Sequence, residues 1–128
     1  MTEFHSRSFV EALHLEQLRL HGGAGGVRDE GALESALHRP LQKQAYEDPD
    51  LCTLAAAYLF GIVKNHPFVD GNKRTGLAAA DLFLVFNGLS MEAEQEEVIQ
   101  LVLMVAAGEI DETGAAAFFR DHTVEIEG

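Results

Sequence analysis

The chain has 128 residues, a mass of 14.0 kDa and 47% hydrophobic content, the size and apolar supply of one compact domain with a single core. Glu3, His5, Arg7, Glu11 and Glu16 interrupt the opening residues, and no run approaches the roughly 20 apolar residues of a membrane span. A signal-peptide core and a membrane helix are thereby excluded, and the formal net charge of −12 excludes a general nucleic-acid binder, which needs a concentrated basic surface.

Residues 1–128 are therefore expected to form one soluble, cytoplasmic domain. Cys52 is the only cysteine, which rules out an internal disulfide and suits a reducing compartment and a small-residue packing role. The charge is unevenly spread. From Ser90 onward ten acidic residues face Arg120 alone, whereas between Phe60 and Gly76 Lys64, Lys73 and Arg74 outnumber Asp70.

In chain order, Ser8 to Leu20 carries Phe9, Val10 and Leu13 near helical spacing, with a serine cap candidate before and glycines after. The stretch HGGAGGVRDEG is too rich in glycine for a helix and predicts a turn-forming connection. A short helix, GALESALHR, follows, capped by Asp29 and closed by Pro40. Leu41 to Pro49 lacks a period and reads as a surface flap, a candidate for holding a target peptide or a plain linker.

Asp50 to Lys64 is apolar around nearly its whole circumference, which predicts a helix buried on most sides, capped by Asp50, with Pro67 just beyond its end. Gly71 to Asn87 is as apolar after its first turn and stops at Asn87-Gly88. Asp81, alone in that run, needs a partner or water. EAEQEEVIQLVLMVAAG predicts a further helix with acidic residues in its first turns, where the dipole favours them. A last helix spans roughly Glu112 to Asp121 behind Asp111 as cap, and the closing TVEIEG is expected to be a brief frayed or extended tail. Six helices with short links predict an all-α bundle.

Two buried helices thus flank HPFVDGNKRTG, residues 66–76. Its members have ordinary readings: His66 as a last-turn histidine, Asp70 as a helix cap, Asn72 as loop chemistry, Phe68 as the buried anchor of the loop. Lys73 and Arg74 resist such a reading, because two successive cations oppose the positive end of a helix dipole and no flanking acidic pair neutralises them. A bound polyphosphate reverses the sign. Gly71 lets it approach the free N–H groups of the first turn, and Lys73 and Arg74 add charge. Given a phosphate, Asp70 can hold Mg²⁺ against it and His66 can take a proton from an attacking hydroxyl. Phosphoryl or nucleotidyl transfer follows. The remaining histidines, 5, 14, 21, 38 and 122, are assigned to surface or packing.

HPFVDGNKR resembles the signature HxFx(D/E)(G/A)NxR of the Fic/Doc family, and its Doc branch in particular, where lysine precedes the arginine. GGVRDEGALESAL, AYLFGIVKNHPFVDGNKRTGLAAADLFLVFNG and AAGEID are similar to Doc segments in the same order. The resemblance implies a helical Fic/Doc fold that binds ATP and Mg²⁺, with His66 as base, Asp70 as metal ligand, and Gly71, Asn72, Lys73 and Arg74 as the nucleotide-binding set. It further implies a toxin that phosphorylates a threonine of elongation factor Tu, and an antitoxin whose C-terminal segment folds on the toxin surface. The AMP-transferring branch reads GNGRxxR; here Lys73 replaces the second glycine and Leu77 the second arginine, which favours γ-phosphoryl transfer. The family's inhibitory pattern (S/T)xxxE(G/N) has a literal match at TVEIEG, discounted because it is β-like and Leu77 offers its glutamate no arginine. Against the kinase reading stand an AMP-transferring enzyme and a catalytically silent helical binding module.

Overall fold

The computed structural model describes residues 1–127; Gly128, the end of the TVEIEG stretch, lies outside them. Six α-helices run α1 (Arg7–His21), α2 (Glu30–Tyr46), α3 (Leu51–Asn65), α4 (Asn72–Phe86), α5 (Gln95–Ala106) and α6 (Glu112–His122). Two short strands, β1 (Leu89–Met91) and β2 (Thr123–Glu125), complete the order. The all-α expectation holds. No helix among the described residues is long and apolar enough to cross a membrane.

α3 is the axis of the bundle, in contact with α2, α4, α5 and α6. Its all-round apolarity leaves ten of its fifteen residues buried, among them Leu54, Tyr58, Leu59 and Ile62. Small residues set how closely its neighbours approach. A Cβ on Gly61 would stand 3.3 Å from the Ala36 carbonyl of α2, and one on Gly76 of α4 would stand 3.0 Å from Val63 and 3.4 Å from the Leu59 carbonyl. The tight α3/α4 crossing fixes the loop that joins the two helices.

Local capping chemistry starts most helices as the sequence indicates. Ser6, Asp29, Asp50 and Asp111 accept from the N–H groups of Phe9, Ala32, Thr53 and Gly114, respectively. Asp50 also accepts from Arg120 Nε at 2.8 Å, joining the start of α3 to the end of α6. That contact holds its carboxyl well below the usual range, at about 2.

Two expectations need correction. Pro40 does not close α2; the helix continues through it to Tyr46, so residues 41–46 of the expected flap are its last turns and only 47–49 are irregular. An interior proline costs about 3 kcal/mol. Here the cost is offset from outside the helix: Pro40 is buried, Leu33 and Ala36 pack on α3, and Arg39 and Lys43 both reach Glu112 of α6, at 2.6 and 3.1 Å. Burial opposes ionisation of Glu112, but those two cations outweigh it and lower its pKa.

The second correction concerns the tail. Thr123–Glu125 pairs antiparallel with Leu89–Met91, Ser90 opposite Val124, and Ile126 N donates to the Gly88 carbonyl at 2.9 Å. A partner strand far along the chain gives this stretch the ladder that it lacks alone. The N-terminal segment closes the same end: His5 donates to the Ala79 carbonyl at 2.8 Å, and Asn87 exchanges hydrogen bonds with the Glu3 backbone.

Candidate active site

The loop between α3 and α4 begins at His66, whose φ of 52° and ψ of 54° make it the one non-glycine residue with positive φ among the described residues. Side-chain-bearing residues adopt this conformation rarely, and they persist in it where surroundings hold them. Arg28 supplies that hold. Its Nε donates to the His66 carbonyl at 2.6 Å and its terminal nitrogen to the Asn65 carbonyl at 3.0 Å, satisfying acceptors left free at the end of α3. The His66 imidazole itself stays exposed.

The glycine-rich connection runs beside the loop as an irregular ribbon. Arg28 N and Asp29 N both donate to the Pro67 carbonyl, Val69 N donates to Gly26 O at 3.0 Å, and Val27 bridges to Phe68. Phe68 is 1% exposed and lies flat against His14 of α1. Asn72 is also buried. Its carboxamide closes a ring on the Phe68 backbone, accepting from the N–H and donating to the carbonyl, both at 2.9 Å. That leaves the Asn72 backbone N–H, not its side chain, without an internal partner among the described residues.

Asp70 does not cap α4. The cap position belongs to Gly71, at φ 79°, and no side chain hydrogen-bonds to the first turn. The Asp70 carboxylate accepts instead from Gly71 N at 2.9 Å and sits 3.4 Å from Ala24 N of the glycine-rich connection. Glycine at 23 makes room for this: its φ of 123° disfavours a side chain, and a Cβ there would fall 2.8 Å from an Asp70 oxygen. Lys73 and Arg74, both exposed, take part in no ion pair or side-chain hydrogen bond among the described residues.

These groups meet in one cleft of about 580 Å³. His66, Asp70, Gly71, Asn72, Lys73 and Arg74 form its polar end, and Leu77 with Ile99, Val102 and Leu103 of α5 forms an apolar wall. All the motif residues singled out in the sequence except buried Phe68 thus line it; none of residues 41–49 does. The polar end offers unsatisfied first-turn N–H groups and two free cations, a fit for phosphate oxygens. Asp70 brings a single carboxylate, and no cluster of three or more His, Cys, Asp or Glu side chains stands ready for a metal among the described residues. That donor set suits Mg²⁺ held jointly by one carboxylate, waters and a ligand's phosphates, not an all-protein cage.

Sequence reasoning missed three contributors: Arg28, which fixes the His66 backbone; Gly23, which admits the Asp70 carboxylate; and His14, whose Nε2 lies 2.8 Å from the Asp70 carbonyl. Only the accumulation of glycines before Arg28 hinted at a close backbone approach.

Comparison with known proteins gives the chain's family. A sequence model described as Fic/DOC family matches residues 4–84. "Protein kinase doc" of Escherichia phage P1 is 36% identical over 110 residues, covering 85% of this chain and 86% of that protein. "Toxin Doc" of Mycolicibacterium smegmatis (strain ATCC 700084 / mc(2)155) is 45% identical over 75 residues, 57% of this chain and 58% of that one. With its motif loop, its helical fold and these Doc relatives, the chain belongs to the Fic/DOC family.

Proposed function

We propose that the chain is a toxin that transfers the γ-phosphate of ATP to a protein hydroxyl, with a threonine of elongation factor Tu as the target and a separate antitoxin as its inhibitor. One observation carries the chemistry: the start of α4 has neither a side-chain cap nor a partner for Lys73 and Arg74, and it opens into the cleft that holds His66. The names of the two relatives, one a protein kinase and the other a toxin, support the reading.

In this reading the backbone N–H groups of Asn72, Lys73 and Arg74, with the two cations, hold the polyphosphate and spread the charge that develops on the moving phosphoryl group. Asp70 would hold Mg²⁺, which screens phosphate charge when bound. His66, exposed at the mouth of the cleft, accepts the proton of the target hydroxyl as its oxygen bonds to the γ-phosphorus and ADP departs. Most of the work is positioning, for which a loop tied to α1, the glycine-rich connection and the α3/α4 pair is suited. Leu77, in the cleft wall, offers no charge to a second phosphate, which favours γ-phosphoryl over AMP transfer.

The test is incubation of the chain and its His66→Ala variant with elongation factor Tu and ATP labelled at either the α or the γ position. Label from the γ position alone, lost in the variant, is expected. Transfer of the α label would establish AMP transfer instead, and toxicity undiminished by His66→Ala in cells lacking the antitoxin would leave a silent binding module.

A further inference from the structure

His14 is 3% exposed in the middle of α1, 56 residues from the loop it touches. Its ring stacks on Phe68 with centroids 3.8 Å apart and planes 9° from parallel. Its Nε2 lies 2.8 Å from the Asp70 carbonyl oxygen, and since a carbonyl only accepts, Nε2 carries the proton in this contact. Leu18, one turn further along the same face, reaches the same place: a Cβ on Gly71 would stand 3.4 Å from Leu18 and 3.6 Å from His14. One face of α1 is therefore the floor beneath the Asp70–Gly71 peptide.

Packing alone does not require a histidine there. A phenyl ring would cover Phe68 as well, without placing a donor in a buried position. The donor has a use because the Asp70–Gly71 peptide has little else to hold its plane: Gly71 is free in φ, and α4 carries no side-chain cap. In a trans peptide the carbonyl and the N–H point oppositely. With the carbonyl drawn down onto His14, the Gly71 N–H is turned to the Asp70 carboxylate at 2.9 Å, and the Gly71 carbonyl accepts from Thr75 N at 3.0 Å to open the helix. A flipped peptide would turn a carbonyl oxygen toward the cleft and withdraw the Gly71 N–H that holds the Asp70 carboxylate.

We infer that His14 is a positioning residue for the site: its Nε2–H sets the plane of the Asp70–Gly71 peptide and thereby the aim of the Asp70 carboxylate and of the N–H groups that open α4. The inference rests on the phosphoryl-transfer reading for its consequence, but not for its geometry.

Two variants of the full chain separate the donor from the ring. His14→Gln keeps an N–H donor at about the reach of Nε2; His14→Phe keeps the flat stack and removes the donor. Exchange of the Thr75 amide, read by NMR against that of Leu59 in the core, is expected to accelerate at least about tenfold in His14→Phe and stay near wild type in His14→Gln. In the label-transfer assay kcat should fall by about ten- to a hundredfold in the phenylalanine variant, with KM for the protein substrate little changed, and recover in the glutamine variant. Equal losses in both variants, or wild-type exchange and kcat in His14→Phe, would overturn the inference. If His14→Phe fails to fold, His14→Asn, whose amide is too short to reach Asp70, replaces it with the same expected outcomes. If the wild-type chain transfers no label, the proposed function falls and the Thr75 amide alone decides the role of His14.

Discussion

The helices α3 and α4 are each 15 residues long and pack side by side, yet their first turns are built in opposite ways. At the start of α3, Asp50 accepts from Thr53 N and from its hydroxyl, and Arg120 from α6 balances the carboxylate. A first-turn donor, the dipole and the cap's charge all find partners within the fold. At the start of α4 a glycine stands in the cap position, the first turn holds no acidic residue, and two cations sit where the dipole disfavours them by about 0.3–1 kcal/mol each. The contrast separates a helix end capped and neutralised within the fold from one that is not, and under the proposed function the second leaves its uncapped donors and positive charge to a bound phosphate. The other helices resemble α3, with side-chain caps at α1, α2 and α6 and a capping box at α5.

Replacing both Lys73 and Arg74 by alanine should break this contrast most sharply. Transfer of label is expected to fall by roughly a hundredfold or more, as when preorganised charge is removed from developing phosphate charge. Chemical denaturation of the same variant should show stability unchanged or slightly raised, because two cations have left a helix N-terminus. A loss of stability parallel to the loss of activity would mean that the cations serve the fold.

The reciprocal experiment is Asp50→Ala. Removing this cap and its Arg120 partner should cost about 1–2 kcal/mol in denaturant unfolding while leaving label transfer intact. The pH dependence has a definite sign. The Asp50 carboxyl sits at about 2 in the folded chain against 3.8 without its partners, so its contribution is complete above about pH 4 and is lost as the pH falls toward 2. Asp50 is half exposed, so solvent screening makes this a modest part of acid unfolding. In Asp50→Ala that part of the curve should flatten.

Asp81 gives the smallest expected effect. It sits half-buried in α4 with no ion pair among the described residues, and burial raises its pKa. Its ionisation therefore favours the unfolded chain. Asp81→Asn should raise the thermal midpoint slightly at neutral pH, with the gain vanishing in acid once the carboxyl is protonated in both states. A fall at neutral pH would mean that the carboxylate has a favourable partner.

Much of both regions was legible because it is local. The caps at Asp29, Asp50 and Asp111 lie three residues from the N–H groups they meet, and the all-round apolarity of α3 states its burial directly. The motif residues lie within nine positions of one another, so a single loop suffices to bring His66, Asp70, Lys73 and Arg74 to one cleft. What escaped is long-range. Pro40 remains inside α2 because Arg39 and Lys43 find Glu112 some seventy residues on, and Thr123–Glu125 becomes a strand only when Leu89–Met91 lies beside it.

The sequence by itself determined the helices, their starts and the chemical character of the loop, since capping, periodicity and the dipole act over a few residues. Tertiary structure alone decided how that loop is held. Arg28 reaches the His66 carbonyl, Gly23 admits the Asp70 carboxylate, and His14 grips the Asp70 carbonyl, contacts spanning 38, 47 and 56 positions. No local rule encodes such separations; they exist because α4 packs on both α1 and α3, which brings α1, the glycine-rich connection and the start of α4 to the same place.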